Sequence, residues 1–143
     1  MDESETVLKF NIYSDSFVEV IFDESYCDLQ TVTIPAKVRI NGVVYEVSYM
    51  YDAFSKCVNL TSVKMVSTIR MIRKRSFMDC SNLSYIEVLS DNPDLSSING
   101  VVYNKNQTCI YYVPLWIKGD FVIPSSITKI GKYLFSDSRG WLV

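Results

Sequence analysis

The sequence predicts a β-dominated α/β fold in which short strands from successive repeats stack on one another. The main observation is a fixed repeat: residues 53–65 (AFSKCVNLTSVKM) return as residues 76–88 (SFMDCSNLSYIEV), with matching positions 23 residues apart. A period of this length is typical of stacked repeat proteins, because one repeat alone cannot bury its apolar face. The second observation is a strand-like alternation of apolar and polar residues inside each repeat.

The alternation follows the same frame in four segments of the chain. Two apolar residues stand two positions apart in each: Val32 and Ile34, Val63 and Met65, Ile86 and Val88, and Phe121 and Ile123. A strand with this pattern buries one face and exposes the other. We therefore predict about four rungs whose strands form one parallel sheet with an exposed face.

The 143 residues are expected to form one domain with four parts. Breaks in the repeat period set their bounds. The parts are an N-terminal cap (1–28), the repeats (29–88), an inserted β-hairpin island (89–118) and a last, incomplete repeat (119–143).

Two β-hairpins are predicted in addition to the island. One has its turn at residues 14–16 and is expected to cap the first rung, since a stack of repeats must cover its apolar end. The other lies within residues 37–47, where Asn41 and Gly42 form a typical two-residue hairpin turn. The turn that contains Phe54, and its counterpart at Phe77, is expected to be a single helical or 3₁₀ turn.

Composition argues against several classes of function. The chain contains no histidine, which excludes Ser-His-Asp and Cys-His nucleophiles and histidine-bearing zinc sites. The Asp and Glu residues form no paired set that suggests catalysis, and the net charge of −2 gives no argument for a nucleic-acid partner. We predict a non-catalytic protein with no cofactor, no metal and no membrane span.

Four cysteines stand at positions 27, 57, 80 and 109. Cys57 and Cys80 share one repeat position and are expected on neighbouring rungs. Two interpretations remain open for this pair, a disulfide or a ladder of reduced, buried thiols. The burial preference of free cysteine favours the thiol ladder.

Several motifs, in the right order along the chain, resemble the BspA-like leucine-rich repeat family. A strand end of the form Val-x-Ile-Pro is matched at residues 32–35 (VTIP) and 121–124 (FVIP). The family's Ile-Gly stretch and its Ala-Phe-x-x-Cys turn are matched at residues 127–131 (ITKIG) and 53–57 (AFSKC). The resemblance covers roughly residues 29–142.

The resemblance implies a right-handed solenoid that contacts other proteins, usually in adhesion to host matrix proteins or other cells. It also implies a location at the cell surface or in the medium. The N-terminus is acidic and lacks the pattern of a secretory signal. An intracellular interaction scaffold, located in the cytoplasm, is therefore the alternative.

Two groups of residues are candidate binding surfaces. The first is the exposed face of the predicted sheet: Thr31, Thr33, Ser62, Lys64, Tyr85, Glu87, Asp120 and Val122. The second is aromatic and lies on the island: Tyr111, Tyr112 and Trp116. The alternatives are a face that is merely solvated and aromatic side chains that cover the core.

The end of the sequence suggests one more interaction. After Phe135 the chain continues only to Trp141, Leu142 and Val143, where the next strand is expected. An uncapped final rung leaves apolar surface open. We expect this end to self-associate or to belong to a longer protein.

Overall fold

The computed structural model describes residues 7–66, 68–72, 75–114, 116–117 and 121–130. This part of the chain contains strands and one 3₁₀ helix, η1, and no α-helix. The β-dominated prediction is therefore confirmed. The elements are β1 Lys9–Ile12, β2 Phe17–Ile21, η1 Glu24–Asp28, β3 Thr31–Ile34, β4 Lys37–Ile40, β5 Val43–Tyr51, β6 Ser62–Met65, β7 Met71–Ile72, β8 Tyr85–Val88, β9 Leu95–Ile98, β10 Val101–Asn104, β11 Cys109–Tyr112 and β12 Lys129–Ile130.

Three of the four predicted strands form a parallel sheet in the order β3-β6-β8. Val32 pairs with Val63, which pairs with Ile86, so equivalent repeat positions lie side by side. The apolar positions of all three strands are buried, and the intervening residues are exposed or half-buried. The predicted strand frame is correct for these three rungs.

The predicted fourth strand is not formed by residues 121–124. Val122 and Ile123 are exposed, and half-buried Phe121 packs against a small cluster on the island. The reason lies at the edge of β8. The Ile86 N–H donates to the Gly100 carbonyl (3.0 Å), so the island occupies the position that a fourth strand would need.

The island is larger than the predicted hairpin. β10 and β11 form that hairpin, but β9 adds a third antiparallel strand and β12 pairs in parallel with β11. Buried Asn92 anchors the start of the island. Its side-chain amide donates to the Ile69 carbonyl (2.7 Å), and its Oδ1 accepts from the N–H groups of Asp94 and Leu95.

Both other predicted hairpins are present, and they join in a second sheet of order β1-β2-β5-β4, with β7 also paired to β5. The β4–β5 turn places Asn41 and Gly42 at positive φ, as a tight hairpin turn requires. Apolar side chains of the N-terminal hairpin, among them Val18 and Val20, share the core of the repeats, and a hydrogen bond also links the hairpin to η1. The Lys9 N–H donates to the hydroxyl of buried Tyr26 on η1.

A ladder of four aromatic rings runs through the core from one end of the stack to the other. Tyr26 lies 5.3 Å from Phe54, Phe54 5.7 Å from Phe77, and Phe77 5.4 Å from Tyr112, measured between ring centroids. The repeat period predicts only the two central rings. Tyr26 extends the ladder into the predicted cap, and Tyr112 extends it into the island.

The repeat asparagines link each turn to the preceding one. The Asn59 side chain donates to the Cys27 carbonyl (2.8 Å), and the Asn82 side chain donates to the Val58 carbonyl (2.7 Å). Each amide thus satisfies a backbone acceptor that no strand partner reaches. These hydrogen bonds give the conserved spacing of the repeat a structural role.

The predictions for the C-terminal end, including self-association through Trp141, Leu142 and Val143, fall on residues 131–143 and lie outside the described residues. The same holds for Asp120 on the predicted exposed face.

Replacing Phe77 with alanine is expected to lower the free energy of unfolding by about 3–5 kcal/mol. Phe77 is fully buried and contacts a ring on each side, stacked on Phe54 and tilted against Tyr112, so its removal leaves a cavity in the middle of the ladder. Urea denaturation followed by circular dichroism measures the change. Val58→Ala is the control, because Val58 is exposed beside the same turn as Phe54; equal losses for both variants would contradict the role of the ladder.

Replacing Asn92 with alanine is expected to lower the free energy of unfolding by about 2–4 kcal/mol, because the Ile69 carbonyl and two backbone N–H groups lose their hydrogen-bond partner. Thermal unfolding compares it with Asn106→Ala at an exposed position of the same island. A loss below about 1 kcal/mol for Asn92→Ala would show that the island does not depend on this anchor.

Candidate interaction surface

The exposed side of the β3-β6-β8 sheet carries two rows of side chains, which we call the repeat face. Parallel pairing aligns the members of each row at the spacing of neighbouring strands, about 4.8 Å. The rows are Thr31, Ser62 and Tyr85, and Thr33, Lys64 and Glu87. Six of the eight residues predicted for this surface are therefore brought together.

The repeat face is mainly polar, with one aromatic residue. Lys64 and Glu87 are neighbours in their row, so opposite charges lie side by side. Ser62 and Glu87 are half-buried, and the other four residues are exposed. Such a surface provides hydrogen-bonding groups on a rigid backbone, with Tyr85 as its largest contact group.

Tyr85 is held against the island. It is 46% exposed, and its ring stands so close to Gly100 that a Cβ there would lie 2.8 Å from Tyr85 Cδ2 and 3.0 Å from Tyr85 Cα. Gly100 also has a φ of +87°, which L side chains rarely adopt. Because residue 100 has no side chain, the backbone of the island packs directly against Tyr85.

The backbone of Trp116 lies next to the segment that leads into β8. Its backbone N–H donates to the Leu83 carbonyl (2.8 Å), two residues before Tyr85. The Trp116 side chain is 60% exposed. The sequence assigns Trp116 to the island; the fold bonds its backbone to the start of a repeat strand.

The other predicted site residues that the structure describes lie outside the rows of the repeat face. Tyr112 is only 5% exposed, and its hydroxyl donates to the Phe77 carbonyl (3.3 Å), so it belongs to the core. Tyr111 is exposed on β11, and Val122, at 77% exposure, lies outside any strand. For Tyr112 the core-covering alternative is correct.

A second aromatic surface, partly exposed, lies on the second sheet and is not predicted by the sequence pattern. On the outer side of β5, the rings of Tyr13 and Tyr49 lie 5.5 Å apart, with Tyr51 and Met71 exposed nearby. A bulge is the reason: Val18 pairs with Val47 but Glu19 pairs with Tyr49, which leaves Ser48 as an extra residue. The period of two is broken there, although the Tyr-rich run of residues 45–51 was a usable signal.

The charged groups that line a cavity beside the second sheet are balanced. Asp15, Lys37, Glu46 and Arg70 line a shallow cavity of about 440 Å³, and the Arg70 guanidinium lies 5.3 Å from the centre of the Phe17 ring. Two charges of each sign give little attraction for an ion of either sign. Among the described residues, no group of three or more Cys, Asp or Glu side chains is arranged to hold a metal ion.

A family model described as a BspA type leucine rich repeat region matches residues 25–141 in six copies. Among curated proteins, no significant sequence relative is found. Within the residues that the structure describes, no helix has the length and apolar character needed to cross a membrane.

Solved structures of bacterial leucine-rich repeat proteins are similar in fold. One from Bacteroides capillosus is 21% identical with a TM-score of 0.59, over 95% of this chain and 91% of that one. One from Bacteroides ovatus is 22% identical with a TM-score of 0.55, over 93% and 37%. A leucine rich cell surface protein from Faecalibacterium prausnitzii is 23% identical with a TM-score of 0.54, over 65% and 24%. The chain thus spans only part of the length of the latter two proteins.

Gly100→Ala is expected to destabilise the fold more than Gly42→Ala. Both glycines have positive φ, which costs about 1–2 kcal/mol for an L residue, but only at Gly100 does the new methyl group meet Tyr85. We expect a further loss of about 1–3 kcal/mol at that position. Urea denaturation of the two variants measures the difference, and equal losses would show that the contact with Tyr85 relaxes without cost.

Proposed function

Because the chain belongs to the BspA-type leucine-rich repeat family, we propose that it is a protein-interaction module whose repeat face recognises a partner protein at a cell surface. Members of this fold class present extended, rigid surfaces built from neighbouring repeats, and they are generally not enzymes. One of the similar structures is named as a cell surface protein. The surface location and the adhesive role of this chain are parts of the proposal.

The observation that carries the proposal is the pairing of two exposed aromatic residues with the polar rows of the repeat face. Binding energy in protein interfaces is concentrated in a few Trp, Tyr and Arg anchors. Tyr85 lies in the face, and exposed Trp116 is hydrogen-bonded through its backbone to Leu83, two residues before Tyr85. The proposal places the Trp116 side chain at the margin of the face. Thr31, Thr33, Ser62 and Lys64 provide polar contacts next to these anchors.

The same proposal includes the right-handed solenoid with about four rungs. The in-register stacking of three strands supports it. In this arrangement the island, which bonds to Ile86 through the Gly100 carbonyl, takes the place of a fourth strand beside β8.

The binding test uses the full chain, immobilised and exposed to a panel of purified matrix and cell-surface proteins. We expect saturable binding to at least one of them. Tyr85→Ala and Trp116→Ala are each expected to weaken that binding about tenfold or more, the effect of losing an aromatic anchor. Biolayer interferometry gives the dissociation constants.

Tyr51→Ala is the matched control, because Tyr51 is similarly exposed but lies on the second sheet. It is expected to leave affinity unchanged. Binding that depends on Tyr51 and not on Tyr85 or Trp116 would move the site to the second sheet. Tyr111→Ala and Val122→Ala test in the same assay whether the binding surface extends further over the island.

Surface location is tested separately by antibody labelling of the cells that produce the protein. Labelling of intact cells is the expected result. If labelling appears only after lysis, the surface assignment is wrong, and the intracellular scaffold remains as the setting for the same module.

A further inference from the structure

Two cysteine thiols from different parts of the chain meet at the start of the repeat stack. Cys27 on η1 and Cys57 in the first repeat turn have their Sγ atoms 2.8 Å apart. This is not the pair suggested by the repeat period. The thiol of Cys80 instead donates to the Phe54 carbonyl, also at 2.8 Å.

Hydrogen bonds fix the backbone close to this pair. The Asn59 side chain donates to the Cys27 carbonyl (2.8 Å), and β3 and β6 pair in register only a few residues further on. A disulfide bond is about 2.0 Å long. The Sγ atoms, 2.8 Å apart, therefore need to approach each other by less than about 1 Å.

We propose that Cys27 and Cys57 are a site of reversible disulfide formation, which cross-links the N-terminal 3₁₀ turn to the first repeat. The co-reactant is a low-molecular-weight disulfide, with oxidised glutathione as the probe. This cross-link is independent of which protein, if any, binds the repeat face.

The solvent exposure of the two thiols determines which of them reacts first with the small disulfide. Cys27 is half-buried, whereas Cys57 is buried, so the small disulfide reaches Cys27 first. Burial and the hydrogen bond with Cys27 raise the pKa of the Cys57 thiol, which makes Cys57 the poorer initial nucleophile.

The exchange has two steps. The Cys27 thiolate attacks one sulfur of the small disulfide, forming a mixed disulfide and releasing one thiolate. Cys57 then gives its proton to solvent and attacks the Cys27 sulfur, which releases the second small thiolate. The two protein thiols are oxidised by two electrons, and the small disulfide is reduced to two thiols.

The Cys27–Cys57 disulfide would link the Tyr26 end of the aromatic ladder covalently to the first repeat turn. Tyr26 precedes Cys27 on η1, accepts a hydrogen bond from the Lys9 N–H of the N-terminal hairpin and packs against the Phe54 ring. A cross-link between positions 27 and 57 closes a loop of about 30 residues and restricts the unfolded chain. We expect the midpoint of thermal unfolding to rise by about 5–10 °C on oxidation and to return on reduction.

The test incubates the full chain with oxidised glutathione at mildly alkaline pH, blocks the remaining thiols with an alkylating reagent and digests with trypsin. Cleavage after Lys9, Lys37, Lys56 and Lys64 separates Cys27 (peptide 10–37) from Cys57 (peptide 57–64). Mass spectrometry is expected to find these two peptides joined, with the loss of two hydrogen atoms. Reduction should separate them.

Three variants complete the test. Cys27→Ser and Cys57→Ser are expected to abolish the cross-link and the rise in unfolding temperature, and Cys80→Ser to retain both. Cys27→Ser also serves if Cys57→Ser does not fold, because Cys27 is half-buried. A Cys57–Cys80 cross-link, a mixed disulfide that persists at Cys27, or no reaction at either thiol would overturn the proposal.

Discussion

The register between neighbouring repeats is the constraint on which the rest of the structure depends. β3, β6 and β8 pair so that each residue lies beside its equivalent in the next repeat. The turns follow the same register, since the Phe54 N–H donates to the Ser76 carbonyl (2.8 Å) and the Lys56 N–H to the Met78 carbonyl (2.6 Å). A shift of one residue would move every apolar side chain of a strand to the solvent side. The buried ring ladder, the asparagine contacts and the exposed rows all require this one alignment.

The turns keep the register at the cost of local backbone strain. Asp52 and Arg75, at equivalent positions, both have positive φ (52° and 69°), and so do Lys56 and Asp79 (63° and 59°). Residues other than glycine adopt this conformation rarely. Its recurrence at two positions of each turn indicates that stacking of the turns outweighs the strain. Asp52 and Arg75 also approach each other across the two turns, with 3.4 Å between Oδ2 and a guanidinium nitrogen, a partly exposed ion pair that adds little stability.

The sequence predicts the structure where the 23-residue period holds and fails to predict it where the period breaks. The fixed offset between Phe54 and Phe77 predicted the stacked turns and the register of three strands. It could not predict that Tyr26 and Tyr112 extend the same ladder, because neither lies at the repeated spacing. Nor could it predict that the island takes the edge of β8, since that depends on a contact between Ile86 and Gly100. For the same reason the sequence does not predict that the backbone of Trp116 bonds to Leu83, just before the strand that carries Tyr85.

The position of the island also limits the area that a partner can contact. Three strands at about 4.8 Å spacing give a width of about 10 Å, and four residues in each give a length of about 13 Å. A stable protein interface needs about 800 Å² from each partner, several times that area. The proposed partner would therefore extend past the strands onto neighbouring segments, and the backbone of Trp116 is bonded to one of these, at Leu83. The footprint of the proposed recognition would be wider than the sheet, and its specificity would depend on the irregular part of the chain as much as on the repeats.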